Sequence, residues 1–205
     1  MDGRGDDRWR AAARLGLLTL LLTPVTILLH ELGHFALPLL ADLPAQLHPT
    51  RVSGGASPGT SAPSWMIATQ AGLGPAATVL MSLIAGALFR RDRRRLWALA
   101  FAVAAASRFL VTTFYLGLRL VVLALGLPHS GKPNFDEYNL ARALGFPSEI
   151  AAAIATLFLF GMLFWLMRQV EKGRRLIYLV AMAAGVVAGN IAWAGLAPPV
   201  LATLP

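Results

Sequence analysis

The sequence predicts an all-α polytopic membrane protein, one membrane domain over residues 1–205 with about five transmembrane helices. Three observations carry that expectation. The chain is 57% hydrophobic and only 14% charged, and its mean hydropathy of +0.63 lies outside the range of soluble domains. Apolar runs near the ~20 residues a helix needs to cross a bilayer recur along the chain, separated by polar connections. The basic residues gather beside those runs, at Arg90, Arg91, Arg93, Arg94 and Arg95 and again at Arg168, Lys172, Arg174 and Arg175.

The net charge of +8 would suit a nucleic-acid binder, but its distribution does not. Short basic loops flanking apolar runs are the positive-inside pattern of membrane spans. No nucleic-acid partner is expected. Placing both basic loops in the cytoplasm gives a multi-pass protein with a cytoplasmic N-terminus, of the kind expected in a prokaryotic plasma membrane.

Residues 1–14 are expected to form a cytoplasmic leader. The acids Asp2, Asp6 and Asp7, and the length of the run that follows, argue for an uncleaved first span over a signal peptide. That span is assigned to 15–40, with Pro24 as a kink. Residues 42–64 are a Gly/Pro/Ser-rich connection, within which 46–52 has the makings of a small β-hairpin. The second span is 65–89, closed by the arginine cluster. The apolar stretch 96–126 exceeds one crossing and holds Arg108 and Arg119. It reads as one tilted helix, or as a span over 96–117 with an interfacial continuation. Residues 127–149 form a second polar connection. Spans at 150–167, with Ser148 as cap and Glu149 as first-turn acid, and at 176–196, ended by Pro198-Pro199, complete the set. On this topology both polar connections fall on the non-cytoplasmic side.

The first span contains His30-Glu31-Leu32-Gly33-His34. Residues four apart share a helix face, so His30 and His34 can present two imidazoles to one metal ion. Glu31 is rotated about 100° away, out of that ligand pair but within reach of a metal-bound water as a general base. Each charged residue at mid-membrane costs roughly 2.5–3.5 kcal/mol on the insertion scale, and a bound metal offsets part of that cost. The chain has no cysteine, so ligands must be nitrogen or oxygen. A third is sought between His129 and Asn139. Asp136 is the first candidate, with Glu137 and His129 as alternatives. The same stretch also suits an ordinary helix start with Asn134 as N-cap.

With these residues the chain resembles the site-2 protease family of intramembrane zinc metalloproteases. His30, Glu31 and His34 match its HExxH helix, and Asp136 stands for the aspartate supplied by a later segment. Gly74-Pro75-Ala76-Ala77-Thr78 is similar to the family's Gly-Pro-x-x-Asn segment, with Thr78 in place of asparagine. Phe135-Asp136-Glu137 departs from the usual Leu-Asp-Gly. The resemblance covers about residues 30–139, a three-span metalloprotease-like core, and implies a compact relative without a PDZ module.

It implies Zn2+ as cofactor and a membrane protein or transmembrane peptide in the lipid bilayer as substrate. Glu31 would be the base, and Asn134 or Asn139 would hold the substrate or its oxyanion. A membrane metal transporter or metal-binding protein, and an inactive regulator that binds transmembrane segments, are the alternatives.

Other residues have structural expectations. Arg108 should pair with a carboxylate or snorkel. Asn190 should bond between helices. Ala181, Ala184, Gly185, Ala188 and Gly189 should form a close-packing face. His48 has no partner visible in the sequence.

Overall fold

A computed structural model describes residues 3–127 and 135–201, with side-chain environments for 7–127 and 135–195. The elements run α1 (Gly3–Leu40), β1 (Ala45–His48), β2 (Arg51–Gly54), α2 (Ser64–Arg91), α3 (Leu96–Ala106), a 3-10 turn (Ser107–Phe109), α4 (Leu110–Ala124), α5 (Asp136–Leu144), α6 (Ser148–Gln169), a second 3-10 turn (Lys172–Arg174) and α7 (Arg175–Leu201). Among the described residues, five helical segments are long and apolar enough to cross a membrane: Asp7–Leu40, Ser64–Arg91, Leu96–Ala124, Ser148–Gln169 and Lys172–Gly195. The chain is an all-α multi-pass membrane protein.

Helix α3 lies at the centre. Ala98, Leu99, Ala100, Ala102, Ala104, Ala105 and Ala106 are fully buried, and α3 packs on α1, α2, α6 and α7. Lipid is as apolar as leucine, so helices here associate through close packing, which small side chains permit. The seam between α1 and α7 works the same way. A Cβ on Gly185 would overlap the Gly16 carbonyl, and one on Gly189 would lie 2.7 Å from the Thr23 Cβ. Ala181, Gly185 and Gly189 therefore form the expected small-residue face, whereas Ala184 is exposed. Along α1 the buried Thr19 and Thr23 hydroxyls donate to Leu15 and Thr19 carbonyls at 2.8 Å, satisfied within their own helix.

Several expectations need correction. The leader is not a separate element, because α1 begins at Gly3 and Ala12 is already buried in the core. Its alanines and arginines favour helix, and the helix runs through Gly5 despite that residue's low propensity. The third span does not end near residue 117. It breaks at Ser107–Phe109, where the Ser107 hydroxyl donates to the Ala104 carbonyl at 2.7 Å, and resumes as α4 to Ala124. Helix α6 follows Pro147 with no side-chain cap from Ser148, whereas Glu149 stands in its first turn as expected and also pairs with Arg119 at 3.1 Å. Helix α7 runs on to Leu201 through Pro198-Pro199. Asn190 bonds the Val186 carbonyl of its own helix, one turn back. His48 does have a partner, the Ser53 hydroxyl at 2.9 Å across the hairpin.

The hairpin exists: β1 and β2 pair antiparallel with Leu47 opposite Val52. Helix α1 hands over to it through Asp42, at φ 52°, with the Leu43 N–H closing on the Pro38 carbonyl at 2.9 Å. That is a Schellman-type ending, rarely built on a residue other than Gly or Asn.

Candidate metal centre

Helix α1 carries His30 to a point ten residues short of its end at Leu40, roughly 15 Å below the hairpin at 1.5 Å per residue. One helical turn on, His34 shares its face. Their imidazoles meet edge-on, with centroids 4.8 Å apart and planes at 80°. The Nε2 atoms are 3.1 Å apart. Asp136, the first residue of α5, brings Oδ2 to 2.9 Å from His30 Nε2 and 3.1 Å from His34 Nε2. Three ligand-type atoms thus converge from residues 30, 34 and 136.

The far side of each ring is held. His34 Nδ1–H donates to the Gln70 backbone carbonyl at 2.6 Å. A carbonyl only accepts, so this bond places a proton on Nδ1 and turns the Nε2 lone pair toward the centre. His30 Nδ1 lies 2.7 Å from the Thr78 hydroxyl, which orients the ring and can either accept from Nδ1 or donate to it. An outer ring nitrogen tied in this way is the usual preparation of a histidine for a metal. Both imidazoles are buried, and the Asp136 side chain is 33% exposed. Burial alone would raise the Asp136 carboxyl. Its contacts with His30 and His34 outweigh that and hold it below the ordinary carboxylate range, so it presents an anion. A carboxylate and two imidazole nitrogens facing one another within about 3 Å need a cation among them, a proton or a metal ion. Tetrahedral zinc with bonds near 2.0–2.1 Å spaces its ligands by about 3.3 Å, so the three side chains fit that ion with a small outward adjustment.

Helix α2 supplies the supports. Gln70, Gly74, Thr78 and Ser82 fall every fourth residue and are all buried, a polar and small stripe facing α1. Gln70 also ties down the loop after the hairpin. Its Oε1 accepts from Ala56 N–H at 2.7 Å and its Nε2 donates to the Gly54 carbonyl at 3.2 Å. Gly33 completes the crossing, because a Cβ there would stand 2.7 Å from the Leu73 carbonyl.

Helix α5 begins at Asp136 with Phe135, and not Asn134, at the N-cap position. It ends in a Schellman motif at Gly145 (φ 76°), with Phe146 N–H to the Ala141 carbonyl at 3.0 Å and Gly145 N–H to Arg142 at 3.3 Å. The two neighbouring acids diverge. Glu137 turns away from the histidines and accepts from the buried Thr112 hydroxyl at 2.9 Å, fixing α5 to α4. Burial pushes its carboxyl up, and the Asp136 charge adds to that against hydrogen bonds from its own backbone and from Thr112. Of the expected ligands, then, His30, His34 and Asp136 meet and Glu137 does not. His129 and Asn134 lie outside the described residues. Asn139 lines the same cavity.

That cavity, about 670 Å³, reaches from His30, His34 and Asp136 out to β2 and the loop through Pro58. Glu31 opens into it. Its Oε1 accepts from Arg108 Nη2 at 3.3 Å, in a pair with side-chain exposures of 4% and 26%. The helix break at Ser107–Phe109 places Arg108 there. The pairing was expected of Arg108, but not its partner. Gln70 and Arg108 are the residues the motif did not reveal. The stripe at every fourth position of α2 was the legible signal for Gln70, and no signal in the sequence marked the Arg108 partner. No protein-family model, curated protein or solved structure matches this chain.

Proposed function

We propose that this protein is an intramembrane zinc metalloprotease that hydrolyses peptide bonds in or near transmembrane segments. The observation that carries the reading is the convergence of His30 Nε2, His34 Nε2 and Asp136 Oδ2 within about 3 Å, with His34 locked by Gln70. Three protein ligands with an open side toward a cavity are the arrangement of a catalytic zinc, whereas structural sites are closed by four.

A zinc ion held by these three residues supplies a Lewis acid for a carbonyl and an acidified water at neutral pH. The chain's own groups do the rest. Glu31 takes the proton of the attacking water and passes it to the departing amine nitrogen. Arg108 holds Oε1 of Glu31, and the carboxyl group opens into the cavity. The buried Nε–H of Arg108 has no acceptor among the described residues. The hairpin and its following loop wall the cavity on the side where an extended substrate segment would enter. A helical carbonyl is already hydrogen-bonded, so the scissile segment must be unwound.

The test is zinc content of the purified protein, with cleavage of a reconstituted transmembrane peptide. One zinc per chain is expected, lost together with cleavage in His30→Ala and in His34→Ala. Full zinc in either variant would overturn the ligand set. Zinc without any cleavage across a panel of transmembrane peptides would favour the metal-binding alternative.

A further inference from the structure

The opposite end of the bundle carries a second cavity that hydrolysis does not use. It measures about 420 Å³ and is lined by Arg90, Arg93, Phe164, Trp165, Arg168 and Gln169. Gly86 makes it possible. A Cβ there would overlap the Trp165 ring and lie 2.6 Å from the Met162 Cε, so only glycine lets α6 close on α2 at this level. The closure brings the basic ends of both helices around one groove.

The acids of this region are engaged elsewhere. Asp92 pairs with Arg95 at 3.2 Å, and Glu171 pairs with Arg174 at 2.9 Å. Arg90, Arg93 and Arg168 have no acidic partner among the described residues, and the Arg168 guanidinium rests over the Phe164 ring, 5.7 Å from its centroid. Three uncompensated guanidiniums around one groove make a receptor for an anion, and arginine's planar fork matches phosphate oxygens in pairs. Depth selects the source of the phosphate. Gln70, at the metal centre, and Arg90 are twenty residues apart on one helix, about 30 Å at 1.5 Å per residue. That is the thickness of the hydrocarbon core, which puts the groove at the other membrane interface. Below it Phe164, Phe160 and Leu157 are exposed along one face of α6, a surface for an acyl chain.

We propose that the groove between the ends of α2 and α6 binds the phosphate of an anionic glycerophospholipid through Arg90, Arg93 and Arg168, with an acyl chain laid along Phe164 and Phe160. The site depends on neither the metal nor the hydrolytic reading. Basic pockets between membrane helices select anionic headgroups in this way.

The experiment is native mass spectrometry of the full chain in neutral detergent, titrated with phosphatidylglycerol, with phosphatidylcholine and with inorganic phosphate. Phosphatidylglycerol should be retained in preference to phosphatidylcholine. The double variant Arg90→Gln/Arg168→Gln should weaken it roughly thirtyfold. Arg93→Gln/Arg168→Gln should do the same, and both pairs should keep wild-type helical circular dichroism. The control Arg8→Gln/Arg10→Gln removes equal charge at the start of α1 and should leave retention unchanged. An equal loss in that control would reduce the effect to diffuse surface charge and overturn the site. Equal retention of the two lipids would also overturn it. So would displacement of phosphatidylglycerol by inorganic phosphate with the same arginine dependence, which would make the groove an ion site.

Discussion

Gly74 and His34 share a single space: a Cβ on Gly74 would overlap the Nε2 of the His34 ring. The imidazole packs closely against the α2 backbone at Gly74, and its Nδ1 lies 2.6 Å from the Gln70 carbonyl one turn earlier. Gly74→Ala should therefore displace His34 or part α1 from α2. Zinc affinity should fall by roughly tenfold or more, with about 1–3 kcal/mol of stability lost to overpacking. Gly72→Ala is the control, because its Cβ would meet Leu140 Cδ1 at an ordinary 3.5 Å. Equal zinc binding by both variants, measured by competition with a chelator, would refute the close fit.

Glu31→Gln should retain zinc and lose turnover, since the amide keeps the shape and removes the base. Arg108→Gln should also retain zinc but leave Glu31 without its ion pair, lowering kcat and weakening the fold. Arg108→Lys should recover part of both. Near-full cleavage by Glu31→Gln would exclude the assigned base.

Asp136→Ala should weaken zinc binding by roughly 10–100-fold or more, at least the cost of losing a supporting partner. Glu137→Gln should leave zinc affinity nearly unchanged, because Glu137 is turned toward Thr112. Affinity lost in Glu137→Gln and kept in Asp136→Ala would move the ligand one residue along.

Thr78→Val removes the hydroxyl 2.7 Å from His30 Nδ1 while keeping the side-chain shape. Zinc affinity should drop by about 10–100-fold, and Thr78→Ser should restore it. A Thr78→Val protein with undiminished affinity would show that His30 needs no outer partner.

Cysteines introduced at Ser57 and at Asp92 should label from opposite sides of the membrane, because the first lies beside the metal-site cavity and the second follows the far end of α2. The positive-inside pattern assigns Asp92 to the cytoplasm. Labelling of both from one side would break the five-span arrangement.

The histidines, Glu31 and Asp136 were legible because their spacing on a helix and their acidity are written in residue types. The choice of Asp136 over Glu137 rests on the direction each takes at the first turn of α5, which depends on where α4 and α1 stand. The break at Ser107–Phe109 escaped notice because no Gly or Pro marks it. A serine hydroxyl bonding back to Ala104 and an arginine drawn to Glu31 are effects of the folded surroundings. The spans themselves were legible in number and approximate place, as long apolar runs must be. Their ends shifted where turns of α1 and α7 continue beyond the apolar stretch.

Separation along the chain gives the centre a history as well as a shape. His30 and Asp136 are 106 positions apart, with α2, α3 and α4 between them. At about 5–20 residues per second, translation leaves the histidine pair without its carboxylate for roughly 5–20 s. During that interval α1 and α2 can already dock through Gly33 and Gly74, so the two imidazoles are aimed before the acid exists. On the proposed ligand set, Asp136 is the last member to be synthesised, and the growing polypeptide lacks all three until α5 has emerged.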